Sequence, residues 1–258
     1  MHRRILRRDD RKEVVTRPAL QGVREMERNS DPYSDRIVAD LLGLCISELA
    51  ASFAMMFWFD EDANLVSPES AAMPHDLLPF YNNHVGTLDP LHVFYLAKSK
   101  RPVNSLHGQA ENVIGRCHRA YLDYLDRFDI HDELDLVFWR GERPVGGLAL
   151  FRSRSIGCFA MDDHDWDRIH RHLDCSLQMH KRVRDFNLGQ LLSKRYRLRA
   201  SEVDVVQAMM TGATNNEIAE QLDLKPSTVK SYVFSIFDKI GVDNRASLIA
   251  ALSNSAFL

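Results

Sequence analysis

The sequence predicts an α+β chain in two parts, an α-β-α sandwich followed by a bundle of four short helices. Three observations predict it. Between residues 34 and 184 the apolar pattern runs helix, strands, helices, strands, helix, which suits an antiparallel sheet with helices packed on it. Beyond about residue 198 the period is helical, cut into short pieces by Gly212, the Asp223-Leu224-Lys225 turn and Gly241. The 258 residues, 45% hydrophobic and 27% charged, suffice for two ordinary globular domains, and no apolar run approaches the roughly 18 residues of a membrane span.

Residues 1–30 carry Arg3, Arg4, Arg7, Arg8, Arg11 and Lys12 among few apolar residues, the composition of a disordered basic extension. No apolar segment follows it, as a secretory signal would require, and Met26, before a polar stretch with a proline, reads as the natural start. From Ser34, Ile37, Leu41, Leu44, Cys45 and Leu49 repeat with helical spacing. Phe53–Phe59 is a buried strand by its aromatic and large apolar content; residues 60–64 are a turn, and Leu65-Val66 begins a return strand. Residues 75–98 are helical in pieces, interrupted at Asp89-Pro90. Residues 112–128 form an amphipathic helix through Val113, Ile114, Cys117, Tyr121, Leu122 and Leu125. Leu134–Trp139 and Val145–Phe151 flank the Gly141-Glu142-Arg143-Pro144 turn as a hairpin, with Ser155–Phe159 as a further strand. Asp162 or Asp163 then caps one long helix reaching about Arg184. These signals divide the chain into an extension (1–30), a sheet domain (31–184), a linker (185–196) and a helical domain (197–258). The order of the first domain is similar to that of GAF and PAS sensor modules.

In the second domain, a first helix spans about Glu202–Thr211, with Val205, Val206, Met209 and Met210 inward and Gly212 ending it. Thr214 or Asn215 caps a second, where Ile218, Ala219 and Leu222 face the core. Pro226 opens a third, whose missing N–H costs nothing at that position, with Val229, Val233, Ile236, Phe237 and Ile240 on the inner side. Ala246–Leu252 is the fourth. Two short helices joined by a tight turn, the second exposing Ser, Thr and Lys, can enter a major groove of DNA.

Along its whole length this segment resembles the DNA-binding domain of LuxR/NarL-type regulators. The matching residues are Glu202, Gly212, Asn216-Glu217-Ile218-Ala219, Leu222, Ser227-Thr228-Val229-Lys230, Lys239-Ile240-Gly241-Val242 and Asn244-Arg245. The resemblance implies a helix-turn-helix that meets double-stranded DNA through Asn215, Asn216, Lys225, Ser227, Thr228, Lys230, Ser231, Tyr232, Phe234, Lys239 and Arg245. Lys230 and Ser231 can donate to base edges, while Thr228 and Lys239 suit backbone positioning. Phe234 reads either as a contact to a thymine methyl or as packing on a neighbouring helix. The net charge of −3 does not oppose this, because seven cations against one acid fall between Lys181 and Arg199. Arg199 and Lys225 stand where the family places Ser or Thr helix caps, and Tyr232 where it places His. The resemblance also implies a homodimer on an inverted repeat, with Leu248, Ile249 and Leu252 as its contact, unless those residues are core.

In the first domain, Phe80-Tyr81 followed by Leu88-Asp89-Pro90-Leu91 resembles the acyl-homoserine-lactone domain. Asn104 stands where a second pocket tryptophan is expected, Ile130-His131 near an expected glycine, and Tyr81 one residue out of step. Tyr81 with Asp89-Pro90-Leu91-His92, Phe128-Asp129-Ile130, Glu133-Leu134 and Gly147-Leu148 is more similar to orphan LuxR-family regulators. Trp58, Tyr81, Asp89 and Trp139 are the candidate ligand residues; as structural residues, the tryptophans are sheet core and Asp89 caps a helix. The chain has no receiver-like start with paired acidic residues after a strand, so control by phosphorylation is not expected. There is no G-x-S-x-G, H-E-x-x-H, P-loop or G-x-G-x-x-G, so neither an enzyme nor a cofactor is expected. His164, His170, His172, Cys175 and His180 crowd one segment, where only His172 and Cys175 share a helical face, a surface pattern rather than a metal set. Cys45, Cys117, Cys158 and Cys175 lack a C-x-x-C pair and suit free thiols in the cytoplasm. The chain thus reads as a sequence-specific DNA-binding transcription regulator, dimeric and modulated by a small molecule. The alternatives are a lactone quorum receptor and a ligand-independent regulator whose first domain only dimerises.

Overall fold

The structure, a computed structural model, describes residues 31–60, 65–106, 115–161 and 164–253. The readings at 1–30, at the 61–64 turn, at 112–114 and of Asp162 or Asp163 as a cap lie outside these residues.

Asp31 caps the first helix, α1 (Pro32–Ser47), by accepting from the Tyr33 N–H, and Pro32 sits where a missing donor is harmless. Five strands follow in an antiparallel sheet. They are β1 (Phe53–Phe59), β2 (Leu65–Ala71), β3 (Val103–Ser105), β4 (Ile130–Arg140) and β5 (Arg143–Ser153), in the spatial order β2-β1-β5-β4-β3. Pro68 is tolerated because β2 is an edge. Arg140 pairs with Arg143, so a two-residue turn closes the β4–β5 hairpin, and Gly141 supplies its positive φ of 62°.

Strand alternation sends side chains to two cores. On one face Met56, Trp58, Leu136, Phe138 and Leu148 pack with α1, α5 (Trp166–Leu177) and the start of α6 (Lys181–Tyr196). On the other, Phe53, Met55, Phe57, Val137 and Phe151 pack with α2 (Leu77–Phe80), α3 (Val93–Ser99) and α4 (Gly115–Arg127). The α-β-α sandwich expected from the sequence is therefore present. Close approach inside the second core requires a glycine at position 147, where a Cβ would lie 2.4 Å from the Phe57 ring.

Three readings change. The helix expected to run to Arg184 is two helices. Asp165 caps α5 by accepting from the Arg168 N–H at 2.9 Å, and His180 caps α6 by accepting from the Arg182 N–H at 3.1 Å. Helix α6 then continues through the residues read as a linker. Residues 155–159 form no strand; the Arg152 guanidinium, reaching the Cys158 carbonyl at 2.7 Å, ties them to the end of β5. The short β3 has no counterpart in the reading, because three residues carry too little alternation to be seen.

Helix α6 serves two cores. Val183 belongs to the first face of the sheet, whereas Leu188 and Leu192 join a third core with α7 (Ala200–Met210), α8 (Asn215–Gln221), α9 (Pro226–Ile240) and α10 (Arg245–Ser253). Leu248 and Leu252 are wholly buried there, so their expected role as dimer contacts is corrected to the alternative, core; Ile249 is half-buried. Among the described residues no helix is long and apolar enough to cross a membrane.

Candidate nucleic-acid interface and sheet-face site

The end of α6 and the four helices after it are held by polar locks as well as by their core. Glu202, in the first turn of α7, accepts from the Arg199 N–H at 2.8 Å, from Ser235 at 2.8 Å and from Lys239 at 2.5–2.7 Å. An arginine side chain has no acceptor to offer an N-cap, so this reach-back by Glu202 replaces the missing Ser or Thr cap. Burial raises the carboxyl, but the Arg199 N–H, the Lys239 ammonium and Ser235 outweigh it and hold it at about 2. Thr214 caps α8 reciprocally with Glu217. Arg245 donates to the carbonyls of Ala213 and Met209 at 2.6 and 2.5 Å, satisfying the end of α7 and its following turn.

These bonds sort the sequence-derived contact residues. Ser227, Lys230, Ser231 and Phe234 recur at i, i+3, i+4 and i+7 on α9 and are all exposed, forming one outer stripe. Phe234 is 79% exposed, so it does not pack on a neighbouring helix, which removes the alternative reading. Ser231 donates to the Ser227 carbonyl at 3.1 Å, leaving its oxygen lone pairs outward. Lys225, Asn215 and Asn216 are exposed at the openings of α9 and α8, while Thr228 and Tyr232 are half-buried beside the stripe. Lys239 and Arg245 are not on it; both head groups are taken by bonds within the domain. Lys194, Arg195, Arg197 and Arg199 are exposed around the α6–α7 junction, a local basic patch on a chain of slight negative charge.

The four candidate ligand residues do not meet. Trp58 lies on the first face of the sheet, 2% exposed, its ring tilted by 31° against His180 at 4.3 Å with Arg182 over its ring and its Nε1 donating to Glu69 at 3.5 Å. Desolvation lowers the His180 imidazole to about 4, so it is neutral in this contact. Tyr81, Asp89 and Trp139 lie on the second face. Asp89 is not the cap of the next helix, a place His92 takes; its Oδ1 accepts from the Leu91 N–H at 2.7 Å within a turn, and its Oδ2 accepts from the Tyr81 hydroxyl at 2.8 Å. Next to this pair stand two residues the sequence reading passed over as site residues, Glu133 and Asp135. They alternate on β4 with apolar neighbours, which is the signal that would have found them. Tyr121 donates to Glu133 at 2.6 Å and also reaches Asp89. His170, by contrast, is a packing residue, stacked on Phe138 with Nε2 against the Val137 carbonyl at 2.8 Å.

Comparison with known proteins places the C-terminal segment. Residues 191–252 match the family model described as bacterial regulatory proteins, luxR family. Over 49 residues the chain is 37% identical to the probable csgAB operon transcriptional regulatory protein of Salmonella typhimurium and, equally, to the CsgBAC operon transcriptional regulatory protein of Escherichia coli. That match covers 19% of this chain and 23% of each relative, so the chain spans about a quarter of their length. Among solved structures, it is similar to Escherichia coli SdiA, with a TM-score of 0.46 and 14% identity over 90% of this chain and 93% of that one. It is also similar to the GAF domain/HD domain protein from Geobacter sulfurreducens, with a TM-score of 0.41 and 15% identity over 57% of this chain and 96% of that one.

Proposed function

Since residues 191–252 are a luxR-family helix-turn-helix domain, we propose that the protein is a sequence-specific DNA-binding regulator of transcription. It works as a homodimer, and a small molecule held by residues 31–184 modulates it. One observation carries the reading: the outer stripe of α9, where Ser227, Lys230, Ser231 and Phe234 are exposed, the large apolar Phe234 by 79%. A helix laid in the major groove would bring Lys230 and Ser231 to base edges and Phe234 to a thymine methyl. Lys225 at the N-terminus of α9 and the cations at 194–199 would face phosphates. Lys239 and Arg245 act indirectly, holding α9 and α10 to α7. The ligand would bias the spacing of the two DNA-binding domains through α6, whose ends belong to different cores.

The test is selection of genomic fragments by the full-length protein at modest salt, followed by titration of the best fragment. Phe234→Ala lowers affinity for that fragment by about tenfold, the value of one good base contact, and leaves the melting temperature unchanged. Retention of no fragment, with and without cell extract, overturns the regulator reading. An unchanged affinity overturns the role of Phe234.

A further inference from the structure

The second face of the sheet holds three buried carboxylates that no cation balances among the described residues. Asp89, Glu133 and Asp135 are 3–4% exposed. Two are met by hydroxyls, Asp89 by Tyr81 and Glu133 by Tyr121. Of Asp135, the buried Oδ1 has no hydrogen-bond partner. Among the described residues no Lys, Arg or His pairs with any of the three. Such an arrangement is costly, because each charge is desolvated and repelled by the others. Protonation relieves it. Desolvation first, and the neighbouring carboxylates next, push Glu133 and Asp135 well above the usual range, and desolvation raises Asp89 to about 6.

A polar group left unsatisfied in a native core calls for a partner that arrives from outside. What the partner must be follows from the walls. Three acceptors want donors and positive charge; the rings of Tyr81, Tyr121 and Tyr124 offer cation–π faces. Among the described residues no three acidic, His or Cys side chains are disposed to hold a metal ion, whereas a cation that brings its own N–H donors needs no such set. Further along β4, four residues from Asp135 and on the same face, the buried Nε1 of Trp139 is also without a partner, a donor suited to a carbonyl or hydroxyl.

We propose that this face binds an organic cation, a protonated amine or guanidinium, whose charge lies among Asp89, Glu133 and Asp135 and whose remaining length runs along β4 toward Trp139. The inference rests on the small-molecule reading above and gives that molecule its chemical class. Binding ionises carboxylates that are protonated in the free protein, so the cation enters as protons leave. The groups that take part, or face those that do, are Tyr81, Asp89, Tyr121, Tyr124, Asp132, Glu133 and Asp135. A neutral ligand would release none.

The experiment uses the full-length protein with agmatine, putrescine and tyramine as probes, beside neutral tyrosol and octanoyl-homoserine lactone. Calorimetric titration in two buffers of different ionisation enthalpy reads affinity and proton release together. The expected result is binding of at least one amine, proton release near pH 7, and affinity rising from pH 6 to pH 8. Tyrosol should bind at least about tenfold more weakly than tyramine, as loss of a charged hydrogen bond implies. Asp135→Asn and Glu133→Gln should each weaken amine binding by about tenfold or more while keeping the native circular dichroism spectrum. The proposal is overturned if no amine binds at millimolar concentration, if tyrosol matches tyramine, or if neither variant changes affinity. Binding of the lactone alone also overturns it but leaves the sensor reading standing. That reading fails separately if no probe and no host extract changes DNA affinity.

Discussion

Buried carboxylates are handled in opposite ways by the two ends of the molecule. In the helical domain Glu202 is 3% exposed yet held at about 2, because a backbone N–H, a hydroxyl and an ammonium all point at it. In the sheet domain Asp89, Glu133 and Asp135 are as deeply buried, but among the described residues they meet only neutral donors, the Tyr81 and Tyr121 hydroxyls and the Leu91 N–H, and the buried Oδ1 of Asp135 meets none. Burial alone therefore does not decide whether a carboxylate stabilises a fold; the donors arranged around it do. One site is a finished lock that positions α9 against α7. The other has unmet demand, and the proposed ligand is what would meet it.

The contrast gives four predictions, beginning with the largest. Glu202→Ala removes the reach-back cap of α7 and leaves Lys239 unpaired, and should cost about 3 kcal/mol in urea denaturation. A loss below that of an ordinary surface substitution would mean the lock is idle. Asp135→Asn should act in the opposite sense, raising the stability of the free protein by about 1 kcal/mol, because it replaces a carboxyl whose ionisation is opposed by burial with a group that carries no charge at any pH. A marked loss would show that the carboxylate is structural.

The pH dependence should differ in sign between the domains, read residue by residue by hydrogen exchange. Glu202 is lowered on folding, so its contribution is present above the ordinary Glu range and is lost as pH falls toward about 2. Asp89 is raised, so the folded sheet domain holds an extra proton between the ordinary Asp range and about 6, and stability is lost as pH rises through that window. Parallel pH profiles would break the comparison. The smallest effect concerns Lys225, a cation at the N-terminus of α9 whose side chain caps nothing. Lys225→Ser should raise stability by about 0.5–1 kcal/mol through a new cap while weakening DNA binding at low salt. Unchanged binding across several salt concentrations would remove its phosphate role.

Much of this was legible in residue order because it is local. The strand at 53–59 matches residue for residue, and the helices ending at Gly212 and Gly241 fall within a residue or two of expectation, since period, caps and glycines act over a few residues. The outer stripe of α9 was readable for the same reason. Alternation along a single strand likewise shows that Glu133 and Asp135 share a side.

Contacts between distant segments were set by the fold. Pairing of β1 with β5 and of β5 with β4 put Trp58 on one side of the sheet and Trp139 on the other, which no spacing within either strand reveals. Glu202 meets Lys239 across 37 positions, and Asp89 comes beside Glu133 only because α4 and β4 fold back over the turn that carries it. Periodicity states which side chains leave water; it does not state which of them meet, because that depends on strand register and helix packing, fixed only when the whole chain closes on its cores.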